Sequence, residues 1–261
     1  MYEDQFRGQV AIVTGAAGGI GEAVVSALCR AGASVAALDV DGDRLSALFG
    51  ARDDVPGTVT QFTADVRSAV EVEDTVAAVE ERLGPVVFLV NCAGVLRAAT
   101  AVELTERDWD DTLAVNARGV FLMSTAVARR MTPRRRGSIV TVASNAAGVP
   151  RVRMSAYAAS KAAATAYTKT LGLELASSGI RCNVVAPGST DTAMLRGLWG
   201  GGDGTSVSVA GVPTEYRVGI PLGRLTTVAD VTNAVMFLLS DQAANVTMHD
   251  FYVDGGAALG R

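Results

Sequence analysis

The sequence predicts an α/β fold built as one domain over residues 1–261: a doubly wound, parallel, seven-stranded sheet with helices on both faces. Three observations lead there. Short apolar runs alternate with helical stretches without a break from residue 9 to residue 253, as in a parallel sheet with crossover helices. The first run passes directly into a glycine-rich turn that opens a helix. Polar residues gather at the ends of the runs, where open α/β sheets hold their ligands.

The seven strands are expected at residues 9–14, 33–38, 59–63, 86–90, 138–143, 180–186 and 251–253. Each is a short, largely apolar or β-branched run bounded by turn residues. Between them, helical periodicity runs to about Ala31, then from Ser68 to Leu83 with acids early, as the helix dipole prefers. Residues 41–57 read as a helix and a loop, closed after the next strand by Asp65 and Val66. Residues 105–131 read as one long helix with Thr105 as N-cap. Asn116 inside it is poor on propensity, which hints at a particular job. A helix carrying Tyr157 and Lys161 runs to about Ser178, and a last helix spans residues 227–240. Residues 194–217 read as irregular and glycine-rich (Trp199-Gly-Gly-Gly-Asp-Gly204), within a lid expected at about 192–217.

Composition narrows the function classes. Of 261 residues 49% are apolar, enough for a large core, and the net charge of −4 argues against nucleic acid or an anionic membrane as partner. No apolar run is long enough to span a membrane, and the first residues do not resemble a signal peptide. Cys29, Cys92 and Cys182 are far apart and without metal-ligand spacing; they read as buried thiols of a cytoplasmic protein. With His249 as the single histidine, no metal site is expected.

The glycine turn Gly15-Ala-Ala-Gly-Gly-Ile-Gly21 lets a backbone approach a pyrophosphate, and the helix it opens offers unpaired N–H groups. Asp39, at the end of the second strand, stands 18 residues after Gly21. A carboxylate there accepts from a ribose 2′-hydroxyl and repels a 2′-phosphate, favouring NAD over NADP. Tyr157 and Lys161 are spaced one helical turn apart, on one face. Bringing a phenol with a pKa of about 10 to work near neutrality takes roughly 3–4 kcal/mol of charge stabilisation. Lys161 and a positively charged nicotinamide ring together would supply it.

These motifs together resemble the short-chain dehydrogenase/reductase family, a Rossmann-fold family, over essentially the whole chain. Thr14-Gly-Ala-Ala-Gly-Gly-Ile-Gly21 matches its glycine motif, and Asn91-Cys-Ala-Gly94 matches its Asn-Asn-Ala-Gly with Cys92 in place of the second asparagine. Asn116, Ser144, Tyr157 and Lys161 match its catalytic tetrad, and Pro187-Gly188 its nicotinamide-side turn. The resemblance implies that NAD contacts Gly15, Ala17, Gly18, Gly19, Ile20, Gly21, Asp39, Val40, Asp65, Val66, Asn91, Ala93, Gly94, Tyr157, Lys161, Pro187, Gly188, Thr190 and Thr192. It implies Tyr157 as base, Lys161 lowering its pKa, Ser144 holding the substrate oxygen and Asn116 holding a proton-relay water. It also implies a homotetramer, to which the apolar helix after Lys161 would contribute.

Stretches including Gly94-Val-Leu-Arg97, Val140-Thr-Val-Ala-Ser144 and Val253-Asp-Gly-Gly256 are further similar to the family members that oxidise dihydroaromatic carboxylic acids. That implies oxidation of the C3 hydroxyl of a substrate such as 2,3-dihydro-2,3-dihydroxybenzoate, a step towards catechol siderophores. The 2-amino analogue trans-2,3-dihydro-3-hydroxyanthranilate fits the same residues. A non-catalytic NAD-binding regulator is the alternative of another class, disfavoured by the intact tetrad. Arg97 and Arg151 are the favoured carboxylate ligands among Arg97, Arg151, Arg153 and Arg196. Ser144 and Met194 complete the expected substrate contacts, Trp199 packing in the lid.

Overall fold

The computed structural model describes residues 3–50, 56–199 and 203–260. Alternation along the first strand sets up the layers. In β1 (Val10–Thr14), Ala11 and Val13 join one core cluster while Val10 and Ile12 join the other, because successive side chains leave a strand on opposite faces. The short α1 (Glu3–Phe6) precedes it, with Phe6 buried against Phe88 at 5.2 Å between ring centroids.

On the first face, α2 (Gly19–Arg30) and α3 (Gly42–Phe49) pack over β2 (Ser34–Asp39) and its neighbours. They are joined by α10 (Val228–Leu239), whose Val231, Val235 and Leu238 meet Val24, Val25 and Leu28 of α2 in one core. After β3 (Thr58–Thr63), α4 (Ala69–Leu83) returns the chain to β4 (Val86–Asn91) on the other face. There α6 (Gly119–Arg134) adds Met123, Val127 and Met131 to Val72, Val76 and Val79 of α4. Each such side chain, fully buried, contributes about 1.5–3 kcal/mol. β5 (Gly137–Val142), α7 (Ser155–Leu175), β6 (Ile180–Pro187) and β9 (Asp250–Val253) complete the main sheet. Its order is β3-β2-β1-β4-β5-β6-β9, and every pairing is parallel. All seven expected strands are present, each within about one residue of its expected bounds. The order reverses between β1 and β4, which places a crevice at Thr14 and Asn91.

Two expectations need correction. The long helix is α5 (Glu106–Leu113), capped by Thr105 Oγ1 accepting from Asp108 N, and then a π-turn at Ala114–Arg118 before α6. Asn116 sits in that turn, and its side-chain bonds, described below, pull it off the regular ladder. The helix also runs past Met131 to Arg134, because Pro133 in the last turn removes only one ladder donor. The expected irregular stretch is ordered around the glycines: α8 (Ala193–Leu198), α9 (Gly204–Ala210), and an antiparallel ribbon of β7 (Gly211–Val212) and β8 (Arg217–Val218). Thr192 and Asp203 cap the two helices, accepting from Leu195 N and Ser206 N. Gly200, Gly201 and Gly202 of that stretch, and residues 51–55 of the expected loop, lie outside the described residues. In α7 one stripe is buried, including Ala164, Thr168 and Leu171, while Leu173 is exposed.

Candidate active site

The crevice is built by two turns that grip each other. The buried Thr14 Oγ1 accepts from Cys92 N at 3.2 Å and Ala93 N at 3.1 Å, clamping the turn after β1 to the turn after β4. This close approach dictates Gly15: its φ is +64°, and a Cβ there would stand 2.7 Å from Ala93 Cα. A Cβ on Gly21 would stand 2.1 Å from the Gly15 carbonyl oxygen. Gly18 and Gly19 have more room and line an open cleft with Ile20. Gly18 is the N-cap of α2, and no side chain caps that helix. Its first-turn N–H groups are therefore donors for an anionic ligand, and the glycines leave the space to reach them. The donor set fits a dinucleotide pyrophosphate.

Asp39, Val40, Asp65, Val66, Ala93, Gly94 and Thr192 line the same cleft. Asp39 Oδ2 accepts from Ala17 N at 2.9 Å and Oδ1 from Asp41 N at 3.1 Å, which leaves lone pairs for a ribose hydroxyl. Arg67, paired with Asp65 at 2.7 Å, holds that carboxyl below the usual range through its side-chain hydrogen bond. Arg44 and Arg67 also line the cleft; nothing in their local pattern singles them out. Two expected cofactor residues line neither this cleft nor the pocket that adjoins it. Ala17 is buried and lends only its N–H to Asp39. Asn91 is buried behind the wall, where Nδ2 donates to Ser124 Oγ and Thr141 Oγ1. Both support the cleft from within.

A second pocket adjoins the first, sharing Ile20, Cys92, Gly94, Thr192 and Met194 with it. Ser144, Tyr157 and Lys161 line it, as do Pro187, Gly188 and Thr190. Lys161 Nζ donates to Val142 O at 2.8 Å and lies 5.8 Å from the Tyr157 ring centroid. The Ser144 hydroxyl hydrogen-bonds the Tyr157 side chain and accepts from Ala146 N. Asn116 is wholly buried behind the pocket. Its Oδ1 accepts from Val95 N at 2.8 Å, and Nδ2 donates to Val95 O and Ser160 Oγ, both at 2.9 Å. Ser160 Oγ in turn donates to Tyr157 O. The side chain of Asn116 thus braces the turn after β4 against α7, with its hydrogen-bonding groups engaged.

Burial dominates the titration of both central groups. It pushes the Tyr157 phenol up, with the Ser144 hydrogen bond acting the other way, and it lowers Lys161 to about 8. Lys161 gives one of its three N–H donors to the Val142 carbonyl, and the influences resolved on Tyr157 are burial and the Ser144 hydrogen bond, with burial the larger. A further positive charge in the pocket would act in the required direction. Burial pushes the Cys92 thiol up to about 12. Unlike Cys29 and Cys182, Cys92 as a whole residue keeps some exposure, and it stands where the two spaces meet.

The arginines divide differently from expectation. Arg151 lines the second pocket, its Nη2 donating to Ala257 O at 3.2 Å. Arg97 does not line it: half-exposed, it faces Asp108 at 3.7 Å on the side of the first cleft. Arg196 is tied to Asp191 at 2.9 Å, and Arg153 borders a separate surface depression. Arg217 of β8, absent from the expected set, lines the second pocket with its Cζ 5.7 Å from the Trp199 ring centre. Only the fold of the intervening segment brings it there. Met194 lines both spaces as expected. Among the described residues no cluster of metal-ligating side chains occurs, and no helix is long and apolar enough to cross a membrane.

Crevice, serine, tyrosine and lysine define an oxidoreductase site, and comparison with known proteins agrees. Residues 15–258 match the family model described as enoyl-(acyl carrier protein) reductase. The chain belongs to the short-chain dehydrogenase/reductase family, whose dehydrogenases bind a nicotinamide cofactor. It is 47% identical over 254 residues to 2,3-dihydro-2,3-dihydroxybenzoate dehydrogenase of Bacillus subtilis, covering 97% of both chains. It is 40% identical to the vibriobactin-specific 2,3-dihydro-2,3-dihydroxybenzoate dehydrogenase of Vibrio cholerae, covering 95% of both. Its fold matches the crystal structure of levodione reductase with a TM-score of 0.89 at 27% identity, over 98% of this chain and all of the other.

Proposed function

We propose that this protein is an NAD-dependent dehydrogenase that oxidises the C3 hydroxyl of 2,3-dihydro-2,3-dihydroxybenzoate to give 2,3-dihydroxybenzoate. The observation that carries this reading is one pocket holding Ser144, Tyr157 and Lys161 together with Arg151: an alcohol-oxidising set beside a cation for a ring carboxylate. The similarity to relatives bearing that activity in their names supports it, as does the vibriobactin relative for a place in catechol siderophore synthesis. Asp39 at the cleft supports NAD, since its carboxylate can accept from a ribose 2′-hydroxyl and would repel a 2′-phosphate.

The glycine turn and the N-terminus of α2 bind the pyrophosphate, and Asp39 the adenosine ribose. Pro187, Gly188, Thr190 and Thr192 flank the nicotinamide end. When bound, the nicotinamide ring supplies a hydride acceptor for the substrate's C3. Ser144 Oγ donates to the C3 oxygen and holds it against Tyr157 Oη, which removes its proton. Lys161 stabilises the Tyr157 phenolate that acts as this base, and the step leaves Tyr157 a neutral phenol. Loss of the C2 hydrogen as a proton and protonation of the C3 oxygen then make the ring aromatic, so the net change releases one hydride and one proton. Aromatisation draws the oxidation forward.

The segment at about 192–217 serves as a lid, since Met194, Leu195, Leu198, Ser208 and Arg217 from it line the pocket. A cytoplasmic homotetramer is the assembly this reading carries; exposed Phe121 and Leu173 on α6 and α7 support a covering partner there. The experiment is to mix purified protein with NAD and either 2,3-dihydro-2,3-dihydroxybenzoate or trans-2,3-dihydro-3-hydroxyanthranilate and follow NADH. Turnover of the diol acid is expected. Faster turnover of the amino acid analogue would reassign the substrate, and no NADH from either would sink the reading.

A further inference from the structure

We propose that Arg217, carried by the lid ribbon, joins Arg151 and the Ser208 hydroxyl in a clamp for the substrate's carboxylate, which makes this protein selective for acids over neutral diols. The inference deepens the function proposed above and rests on it for the identity of the ring. The clamp itself stands on three observations.

Both guanidiniums line the pocket that holds Ser144 and Tyr157. Among the described residues, neither makes a close ion pair with a carboxylate; Asp254 acts on Arg151 and Glu215 on Arg217 from further away, and burial outweighs both. They stand close enough that Arg217 adds to the burial that lowers Arg151 below its ordinary range. Arg217 is itself lowered by burial. Two like charges turned into one covered pocket are costly unless an anion joins them.

Second, both guanidiniums are anchored through one terminal nitrogen. Arg217 Nη2 donates to Ser189 Oγ at 2.9 Å, and Arg151 Nη2 to Ala257 O at 3.2 Å. Each keeps further N–H donors for a planar acceptor. Third, Ser208 of α9 is 1% exposed, lines the same pocket, and its Oγ has no hydrogen-bond partner. Buried hydroxyls are rarely left so. A ring carboxylate, beside a hydroxyl held at Tyr157, would satisfy all three groups at once. Since Arg217 and Ser208 both come from the lid, the acid would also hold the lid down.

The test uses steady-state kinetics on wild type, Arg217→Gln, Arg217→Lys and Ser208→Ala with 2,3-dihydro-2,3-dihydroxybenzoate and with its decarboxylated counterpart, 5,6-dihydroxycyclohexa-1,3-diene. Arg217→Gln is expected to cut kcat/KM about 100-fold on the acid, mainly through KM, and to change the neutral diol by less than about threefold. Arg217→Lys should restore part of the loss, and Ser208→Ala should cost the acid about fivefold. Equal losses on both substrates, or none on the acid, would overturn the clamp. Calorimetric titration with benzoate against phenol separates this from the proposed function. Preference of the wild type for benzoate, lost in Arg217→Gln, sustains the clamp even without turnover; no preference refutes it.

Discussion

The glycine cleft and the ring pocket share a wall at Cys92, Gly94 and Thr192, yet they are made of different material. The cleft is mostly backbone: turns at the ends of adjacent strands, glycines where chains nearly touch, and uncapped N–H groups of α2. Asp39, among its side chains, is fixed by two main-chain donors. The ring pocket is mostly side chains, and they come from distant parts of the chain: Ser144 after β5, Tyr157 from α7, Ser208 and Arg217 from the lid. The cleft therefore tolerates change at few backbone positions but recognises a generic ligand. The pocket can alter its substrate by altering the lid, with the reacting centre left in place.

Several changes would break or sharpen this contrast. Tyr157→Phe removes the base and should lower kcat about 10³-fold or more while NAD affinity, measured by fluorescence titration, stays within about threefold. Retained turnover would strip Tyr157 of its role. Asn116→Ala bridges both regions. It leaves Val95 N–H, Val95 C=O and Ser160 without their buried partner and should cost about 2–3 kcal/mol in a denaturant melt; a neutral result would mean that the π-turn needs no brace. Asp39→Ala should shift the NADP-to-NAD ratio of kcat/KM about tenfold towards NADP, with the ring pocket unaffected as judged by the choice between acid and neutral diol.

Lys161→Met gives the most graded readout. Burial has already raised Tyr157, so loss of the neighbouring cation should move the rise of kcat/KM with pH further to the alkaline side. The same variant tests linkage. The Lys161 amine releases its proton near 8 when folded and near 10.5 when exposed. Between those values the unfolded chain binds more protons, so stability from this group rises with pH there, and the cost of the buried charge is full below about 8. Thermal melts of Lys161→Met should lack that rise; a persisting rise would place it elsewhere.

Much of this was legible in the sequence because it depends on local rules. Short, largely apolar runs bounded by turn residues mark all seven strands, and Thr105 caps its helix as its residue type suggests. The four-residue step from Tyr157 to Lys161 puts both in one pocket because both lie on α7. Asn116 was conspicuous as a helix misfit. That its side chain binds Val95 and Ser160 is a long-range fact that propensity cannot contain. The arginines show the limit most clearly. Arg97 follows a glycine turn at a strand end and looked like a ligand, but Asp108 of α5 takes it aside.

By itself the sequence determined the sheet, the glycine cleft, the acid at the end of the second strand and the serine-tyrosine-lysine set. Each is written in residues close together along the chain or in the periodicity of one element. The tertiary structure alone decided which arginines line the second pocket, that Asn91 and Asn116 lie behind the wall, and that Ser208 Oγ is left without a hydrogen-bond partner. Those outcomes depend on contacts between segments far apart along the chain, such as Asn116 with Ser160 and Asn91 with Thr141, and no local pattern encodes such a contact.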